Sequence, residues 1–268
     1  MDGQEPKTAF ITGAASGLGR ELARQYLAAG WRVAVFDCDH AGLAAAWPDA
    51  DARVLVLPGD VRSEHDLAGA RDRVLTEWGR IDLLVNNAGV ALAGALEACS
   101  ADDWEWIVQI NLLGVVRGCR LFLPAMRAQR AGHVVNVASM AGLLYPPGMA
   151  AYCATKAGVI ALSEVLQAEL DGSGIGVSVV CPAFFRTGLA RTSRTATPEL
   201  RRVIEHLVGD STVPAARIAA AIRAGVSHRR FLITTHRRES LVWLCKRLLP
   251  QTWFFRLMMR ALRATRPS

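Results

Sequence analysis

Seven short apolar segments alternate with stretches of helical periodicity along this chain of 268 residues, and this alternation constrains the fold more than any other feature. Each segment is four to six residues long and rich in Val, Ile or Leu, as expected of strands buried on both faces of a sheet. The strands are predicted at residues 7–12, 32–37, 53–57, 81–86, 133–138, 176–181 and 231–234. Because helical stretches separate them, the sequence predicts the α/β class, with a single doubly wound parallel sheet of about seven strands flanked by helices.

One domain accounts for most of the chain. Hydrophobic residues make up 51% of the sequence, which is enough for one large core, and no repeat or linker rich in serine and glycine marks a second domain. We predict a folded domain over residues 1–237 and a basic helical extension over residues 238–268. Residues 188–214 form the least regular segment, which is either a mobile cover over the carboxyl edge of the sheet or a long surface connection.

A glycine-rich turn directly follows the first predicted strand and precedes a helical pattern. Its residues are Gly13, Ala14, Ala15, Ser16, Gly17, Leu18 and Gly19. Glycines let the backbone approach a pyrophosphate, and the first turn of the following helix presents unpaired N–H groups to it. The strand–turn–helix context therefore predicts a dinucleotide site.

Asp37 ends the second predicted strand, at about the 20-residue distance expected of the acid that binds an adenosine ribose. A carboxylate in this position would repel a 2′-phosphate, so the sequence favours NAD over NADP. Arg20, a basic residue close to the glycine turn, argues the other way. Asp37 could instead be a helix N-cap or a turn residue.

Tyr152 and Lys156 are spaced to share one face of a helix predicted over residues 151–170, and Ser139 lies thirteen positions before Tyr152. A free tyrosine titrates near pH 10, and a nearby ammonium could stabilise its phenolate by about 4 kcal/mol. We therefore expect Lys156 to lower the pKa of Tyr152, so that Tyr152 can act as an acid and a base. Ser139 is the candidate for orienting the oxygen of the reactant. An isolated Tyr-x-x-x-Lys would more often be structural.

At this point the sequence resembles the classical short-chain dehydrogenase/reductase family from about Lys7 to Thr235. The residues that match the family pattern are Gly13, Gly17, Gly19, Asp37, Asp60, Val61, Asn86, Asn87, Ala88, Gly89, Asn111, Ser139, Tyr152 and Lys156. The resemblance implies a Rossmann-type fold that binds NAD and needs no metal.

The resemblance also assigns roles to individual residues. Asp60 and Val61 would contact the adenine, and Asn87, Ala88 and Gly89 would line the cofactor cleft. Asn111 would hold a water that links Lys156 to solvent, and Lys156 would also bind the nicotinamide ribose. Backbone groups near Pro182, Ala183 and Phe185, together with Thr187, would hold the nicotinamide carboxamide. Ala183 stands where the family usually has glycine, and alanine reaches positive φ less easily.

These motifs indicate an NAD(H)-dependent oxidoreductase that interconverts a secondary alcohol and a ketone or aldehyde. An apolar set near the site indicates a lipophilic small molecule such as a steroid, a retinoid-like or a long-chain acyl compound: Leu143, Leu144, Tyr145, Met149, Phe184 and Phe185. Two alternatives are an enzyme similar to nucleotide-sugar epimerases and dehydratases, and a non-catalytic NAD-binding sensor or membrane scaffold.

Members of this family often form dimers or tetramers, and the helix after Tyr152 and the last strand would carry the interface. Val159, Leu162, Val165 and Leu166 would permit a homodimer or homotetramer, and they would serve equally well in the core. Six cysteines show no metal-ligand clustering, and the polar segment before the first strand does not resemble a signal peptide. We therefore expect a cytoplasmic protein.

The net charge of +7 is concentrated at the carboxyl end. Residues 229–268 contain ten of the 31 basic residues and only one of the 24 acidic residues, which leaves a nearly neutral body and argues against nucleic-acid binding. Arg256, Arg260 and Arg263 share one side of an amphipathic pattern. Residues 239–264 could therefore lie on a membrane surface, pack against the body of the protein, or form an oligomer interface.

Overall fold

The computed structural model describes residues 5–183, 185, 193–197, 202, 209 and 211–264. Seven parallel strands form one sheet: β1 (Thr8–Thr12), β2 (Arg32–Asp37), β3 (Val54–Pro58), β4 (Leu83–Asn86), β6 (Gly132–Val137), β7 (Ile175–Cys181) and β9 (Leu232–Thr234). Their spatial order is β3-β2-β1-β4-β6-β7-β9. All seven predicted strands are confirmed to within two residues, and so is the doubly wound fold.

Helices connect the strands and cover both faces of the sheet. They are α1 (Gly17–Ala28), α2 (His40–Ala46), α3 (Glu64–Trp78), α4 (Ala101–Val108), α5 (Gly114–Gln129), α6 (Ala141–Leu144), α7 (Ala150–Glu169), α8 (Ala215–Ser227), α9 (Arg237–Leu248) and α10 (Gln251–Ala264). The helix predicted over residues 151–170 corresponds to α7. The predicted domain boundary after residue 237 stays a prediction, and it falls within the first turn of α9.

Two local features were not visible in the sequence. Short strands β5 (Leu92–Ala93) and β8 (Arg194–Thr195) pair in parallel outside the main sheet. A π-helical turn, Gln109–Leu113, joins α4 to α5 and makes them one continuous helix. Both features border the cleft described below.

The core lies in two layers because side chains alternate across each strand. In β1, Phe10 points to the layer covered by α3, α5 and α7, where its ring centroid lies 4.4 Å from that of Phe122. Ala9 and Ile11 point to the opposite layer, which α1 and α8 cover. The strands are thus buried on both faces, as their uninterrupted apolar sequences predict.

The continuous helix over residues 101–129 is long and apolar enough, by length and composition alone, to cross a membrane. Its residues Val115, Cys119, Phe122 and Met126 are buried against the sheet of the core. A core helix of a globular domain meets the same length and composition criteria, so this helix needs no membrane to explain its apolar sequence.

Candidate active site

A cleft of about 430 Å³ opens at the carboxyl ends of the parallel strands. The chain order reverses between β1 and β4, and ligands of open α/β sheets bind at such a switch point. One end of the cleft, here called the Asp37 end, is lined by Phe36, Asp37, Cys38, Asp39, Gly59, Asp60, Val61 and Arg62. The other, the Tyr152 end, is lined by Asn87, Ala88, Gly89, Val90, Trp106, Ile110, Val137, Ala138, Tyr152, Lys156, Pro182 and Phe185.

The glycine turn lies between the two ends and follows β1 directly. Gly13 and Gly17 have φ of 68° and 54°, which is the left-handed region that favours glycine. A Cβ at Gly19 would lie 2.1 Å from the carbonyl oxygen of Gly13, so this position has no room for a side chain. Ser16 and Leu18 also line the cleft, and Ser16 is the extended residue before α1. The turn therefore has the compact backbone that a dinucleotide site requires.

Thr12, which the sequence did not single out, joins the glycine turn to the loop after β4. Its hydroxyl oxygen accepts hydrogen bonds from the backbone N–H groups of Asn87 and Ala88, at 3.0 and 2.9 Å. The side-chain amide of Asn87 donates in return to the carbonyl oxygens of Thr12 and Gly13. These bonds fix the two loops relative to each other at the centre of the cleft.

Asp37 is held by backbone groups. One carboxylate oxygen accepts from the N–H of Ala15 at 2.9 Å, and the other accepts from the N–H of Asp39 at 3.0 Å. Each oxygen keeps a further lone pair that could accept from a ribose hydroxyl. Asp39 caps α2 by accepting from the N–H of Gly42.

Asp60 forms an ion pair with Arg62, a residue that the sequence reasoning missed. The guanidinium donates two hydrogen bonds to one carboxylate oxygen of Asp60, at 2.6 and 2.9 Å. Burial opposes ionisation of Asp60, but the hydrogen bonds from Arg62 outweigh it and lower the pKa of the carboxyl. Any contact from Asp60 to an adenine would therefore be made by a carboxylate that is already paired. Val61 is buried and lies beside it.

The basic residues that line the Asp37 end do not include Arg20. Among the described residues, Arg62 is the base at this end, and Asp37, Asp39 and Asp60 are the acids. The charge around the expected adenosine site is therefore negative.

Helix α7 brings Tyr152 and Lys156 together in its first two turns, and the loop after β6 brings Ser139. The ammonium of Lys156 lies 5.8 Å from the centroid of the Tyr152 ring and donates to the carbonyl oxygen of Val137 at 2.9 Å. The Ser139 hydroxyl accepts from the N–H of Ala141 at 3.1 Å and donates to the carbonyl oxygen of Pro182 at 3.5 Å. Because Gly142 has no side chain, α6 can contact the backbone of α7 at Lys156. A Cβ at Gly142 would lie 2.7 Å from the carbonyl carbon of Lys156.

Burial has the largest effect on the pKa values of Tyr152 and Lys156. It raises the pKa of Tyr152 to about 12, and the Ser139 hydroxyl opposes part of that rise. It lowers the pKa of Lys156 to about 8. The structure thus differs from the expectation that Lys156 lowers the pKa of Tyr152. The physical reason is that both groups are desolvated and that the ammonium is directed at Val137.

Asn111 lies in the π-helical turn and is fully buried. Its side-chain oxygen accepts from the N–H of Val90, and its amide donates to the carbonyl of Val90 and, at 3.4 Å, to Thr155. The side chain is therefore committed to the backbone of residue 90, and a relay water at Asn111 would have to use its main-chain carbonyl. The role of Asn111 in proton relay stays a prediction.

Gly89 separates Asn111 from Lys156. A Cβ built at Gly89 would lie 3.2 Å from the side-chain oxygen of Asn111 and 3.3 Å from the ammonium of Lys156. The absence of a side chain here allows both polar groups to approach the same point of the cleft wall.

The segment after β7 closes the Tyr152 end. Pro182 and Phe185 line the cleft, and Ala183 donates its N–H to Nδ1 of His236, which follows β9. Positive φ occurs, among the described residues other than glycine, at Arg130, Tyr145 and Arg229. Ala183 is therefore unstrained where the family usually has glycine. Thr187 and Phe184 lie outside the described residues, as does most of the segment over residues 188–214.

The apolar lining differs from the expected set. Of those residues, Phe185 lines the cleft, whereas Leu143, Leu144, Tyr145 and Met149 are not among its described lining residues. Trp106, Val90 and Ile110 line it instead. Arg194 of β8 lies over the Trp106 ring at 4.1 Å and pairs with Asp103 at 2.9 Å, which holds residues 193–197 against α4.

Within the described part of the chain, no group of three or more His, Cys, Asp or Glu side chains is placed to hold a metal ion. The titratable groups of the cleft are instead the two sets already described, an acidic one at the Asp37 end and a buried Tyr–Lys pair at the Tyr152 end. A glycine turn at the switch point and a polar trio beside it define a Rossmann-type nucleotide-binding protein.

Comparisons with known proteins agree with this class. The family model for short chain dehydrogenase matches residues 7–198. The chain belongs to the short-chain dehydrogenase/reductase family, whose members are oxidoreductases that bind a nicotinamide cofactor and act on small molecules.

Three similar proteins illustrate the match. The 2-(R)-hydroxypropyl-CoM dehydrogenase of Xanthobacter autotrophicus is 35% identical over 224 residues, covering 81% of this chain and 89% of that protein. The CLA biosynthesis dehydrogenase/reductase of Lactiplantibacillus plantarum is 36% identical over 192 residues, covering 69% of this chain and 67% of that protein. A short-chain dehydrogenase/reductase from Burkholderia phymatum, solved in complex with NAD, superposes with a TM-score of 0.87 at 33% identity and covers 92% of this chain and 95% of its own.

Proposed function

We propose that this protein is an NAD(H)-dependent oxidoreductase that interconverts a secondary alcohol and a ketone, or an aldehyde and its alcohol, with Tyr152 as the general acid and base. The observation that carries the proposal is the position of Tyr152 and Lys156 at one end of a cleft whose other end holds Asp37. Bound NAD would supply or accept the hydride.

The protonation states of Tyr152 and Lys156 indicate a separate role for each residue. Because burial raises the pKa of Tyr152 to about 12, its hydroxyl carries a proton at neutral pH, which is the form that can protonate a carbonyl oxygen during reduction. Lys156, with a pKa of about 8, is mostly charged at pH 7. Ser139 would donate to the oxygen of the reactant, and Lys156 would bind the nicotinamide ribose.

The charge of the Asp37 end supports NAD over NADP. Asp37, Asp39 and Asp60 carry three negative charges there, and the guanidinium of Arg62 is paired with Asp60. A 2′-phosphate would face this net negative charge, and no unpaired base is among the described lining residues of the Asp37 end. The Burkholderia relative, which has NAD bound, supports the same assignment.

The substrate we propose is a lipophilic small molecule with a secondary hydroxyl or keto group. Trp106, Ile110, Val90 and Phe185 supply apolar surface at the Tyr152 end. The name of the Xanthobacter relative describes oxidation of a 2-hydroxypropyl group, which is a secondary alcohol. Steroid, retinoid-like and long-chain acyl compounds are the classes to test.

We further propose a cytoplasmic homodimer or homotetramer. In α7, Val159 and Leu166 are buried in the core, whereas Val165 is exposed and free to contact a second subunit. Sedimentation velocity of the purified chain would test this part of the proposal, and a single monomeric species would contradict it.

A substrate screen tests the catalytic proposal directly. Alcohols and ketones of graded chain length and ring number are mixed with NAD(H) or NADP(H), and the absorbance of the reduced nicotinamide is followed. We expect turnover of lipophilic secondary alcohols or ketones, with NAD(H) preferred in every active pairing. Binding of NADH without turnover of any compound would favour a non-catalytic sensor, and turnover restricted to nucleotide sugars would favour the epimerase-like alternative.

A further inference from the structure

The C-terminal hairpin, defined here as residues 237–264 with α9 and α10, exposes most of the large apolar side chains on the described surface. Ten large hydrophobic residues are exposed, and seven of them belong to the hairpin: Leu241, Val242, Leu244, Leu248, Trp253, Phe255 and Leu257. Isolated exposed hydrophobic residues are common on proteins, but a contiguous group marks an interaction surface.

The first helix of the hairpin is attached to the catalytic body. Trp243 packs against the core, and Lys246 donates to the carbonyl oxygen of Leu143 at the end of α6. The Lys246 ammonium also lies 3.6 Å from the centroid of the Tyr145 ring. One face of α9 therefore packs against the catalytic domain, as one of the three alternatives for this extension predicted. The other faces of α9 are exposed.

The second helix is strongly amphipathic. At 100° per residue, Phe254 and Met258 lie on the side of α10 opposite Arg256 and Arg260, whereas Trp253 and Leu257 lie beside these arginines. Trp253 and Leu257 are 62% and 55% exposed, so apolar side chains lie uncovered beside the arginines.

The charge of the hairpin identifies what covers this surface. Its basic residues are Arg237, Arg238, Lys246, Arg247, Arg256, Arg260 and Arg263, and Glu239 is its one acid. A second copy of the hairpin would place arginines against arginines with almost no carboxylates to pair with them. A lipid surface with anionic headgroups instead offers phosphates for the arginines and acyl chains for the aromatic and aliphatic side chains.

We propose that the C-terminal hairpin docks the enzyme on an anionic membrane surface. Because α9 contacts α6, which lies between Ser139 and Tyr152 in the chain, docking brings the Tyr152 end of the cleft close to the lipid. The docking stands independently of catalysis. Only its use, the delivery of a lipophilic substrate from the bilayer, rests on the proposed function.

Vesicle sedimentation of the full-length chain tests the docking. Vesicles of phosphatidylcholine alone are compared with vesicles that also contain phosphatidylglycerol. We expect binding to the mixed vesicles, and we expect Arg256→Gln/Arg260→Gln to weaken partition about 30-fold, since each basic residue near an anionic surface contributes about fivefold. The control Arg24→Gln/Arg127→Gln removes the same charge from exposed sites on the body and is expected to bind normally.

A matched pair of variants tests the exposed apolar side chains of α10. Trp253→Ser/Phe255→Ser/Leu257→Ser is expected to abolish sedimentation, whereas Leu96→Ser/Val165→Ser is expected to leave it unchanged. Leu96 is as exposed as Trp253, at 62%, but lies outside the hairpin. Circular dichroism and NADH binding verify that each variant is folded.

Two outcomes would overturn the proposal. One is equal sedimentation of the hairpin variants and their controls. The other is that the hairpin variants change the oligomeric state in sedimentation velocity while the native chain does not bind mixed vesicles, which would assign the hairpin to self-association. Neither outcome depends on turnover, so a failure of the docking is distinguishable from a failure of the proposed reaction.

Discussion

At the Asp37 end of the cleft, partly exposed carboxylates are held by backbone N–H groups and by Arg62. At the Tyr152 end, a phenol and an ammonium are buried and held by few polar partners. At the Asp37 end, the hydrogen bonds from Arg62 lower the pKa of the Asp60 carboxyl. At the Tyr152 end, desolvation shifts the pKa of each group in the direction that favours its neutral form. The cleft thus combines a binding end that carries charged groups with a reactive end whose groups can gain or lose a proton.

The largest effect should come from Tyr152→Phe, which keeps the ring packing and removes the hydroxyl. We expect kcat to fall by about 10²- to 10⁴-fold, the usual contribution of a general acid. NADH binding, followed by fluorescence titration, should change little because the charges of the Asp37 end are untouched. Tyr145→Phe, which alters an exposed tyrosine outside the cleft lining, is the control. Equal turnover in native enzyme and Tyr152→Phe would refute the assignment.

Lys156→Met should reveal the energetic cost of the buried ammonium. Burial lowers the pKa of Lys156 from 10.5 to about 8, so the unfolded chain binds more protons between these values and stability rises with pH across that window. The cost below pH 8 is about 3 kcal/mol. Urea unfolding at pH 7 and pH 9.5 should show this rise in the native protein and lose most of it in Lys156→Met, while activity is lost as well.

The exposed Lys7 provides the control for that comparison. Lys7→Met should keep the same pH dependence as the native protein. Measurements stop at pH 10 because burial also raises the pKa of Tyr152 to about 12, and stability from that group falls as pH increases from 10 to 12. A native protein whose stability is flat between pH 7 and pH 9.5 would contradict the buried-charge interpretation.

Asp37→Asn should shift the preference from NAD toward NADP, and its effect on activity should be smaller than those of the Tyr152 and Lys156 variants. The amide keeps one acceptor oxygen but loses the charge, and hydrogen bonds to charged groups contribute about 1.5–3 kcal/mol. We expect kcat/KM for NAD to fall by about 10- to 100-fold and the ratio of NADP to NAD use to increase. Asp39→Asn, at the rim of the same end, should show a weaker change in the same direction. An unchanged ratio in Asp37→Asn would remove Asp37 from the cofactor site.

Arg62→Ala should have the smallest effect, because Arg62 and Asp60 form a partly exposed ion pair and such pairs contribute about 0–1 kcal/mol. We expect KM for NAD to change by less than about fivefold. The pKa of Asp60 should move upward once its hydrogen bonds from Arg62 are lost, which NMR titration can follow. A large loss of NAD binding would show that Arg62 itself contacts the cofactor.

The sequence predicts best those parts of the molecule that depend on the backbone. Gly13 and Gly19 are required by a turn that no side chain fits, and the strand that ends in Asp37 is apolar from residue 33 to residue 36, so both could be predicted from local pattern. The pKa of Tyr152 could not, because desolvation depends on everything packed around the phenol. The helical spacing of Tyr152 and Lys156 gave their proximity but not the direction of the ammonium toward Val137.

Other features depend on contacts between distant parts of the chain. Strands β5 and β8 are two residues long and about a hundred positions apart, and neither has a recognisable strand pattern. Trp106 lines the cleft because of how α4 packs beside the carboxyl edge of the sheet, which the sequence alone does not show. Thr12 looked like the last residue of a strand, and its role in joining two loops becomes visible only when β1 and β4 are neighbours.

The π-helical turn at Gln109–Leu113 has a consequence for how this protein can vary. One additional residue in a helix rotates every later side chain by about 100° around the axis. Here that rotation allows Asn111 to reach Val90 while Phe122, three turns later, reaches the core. Loss of a single residue from this turn would restore regular winding and turn one of these two faces away from its partner. Insertions and deletions should therefore be tolerated in neighbouring loops but selected against within these five positions.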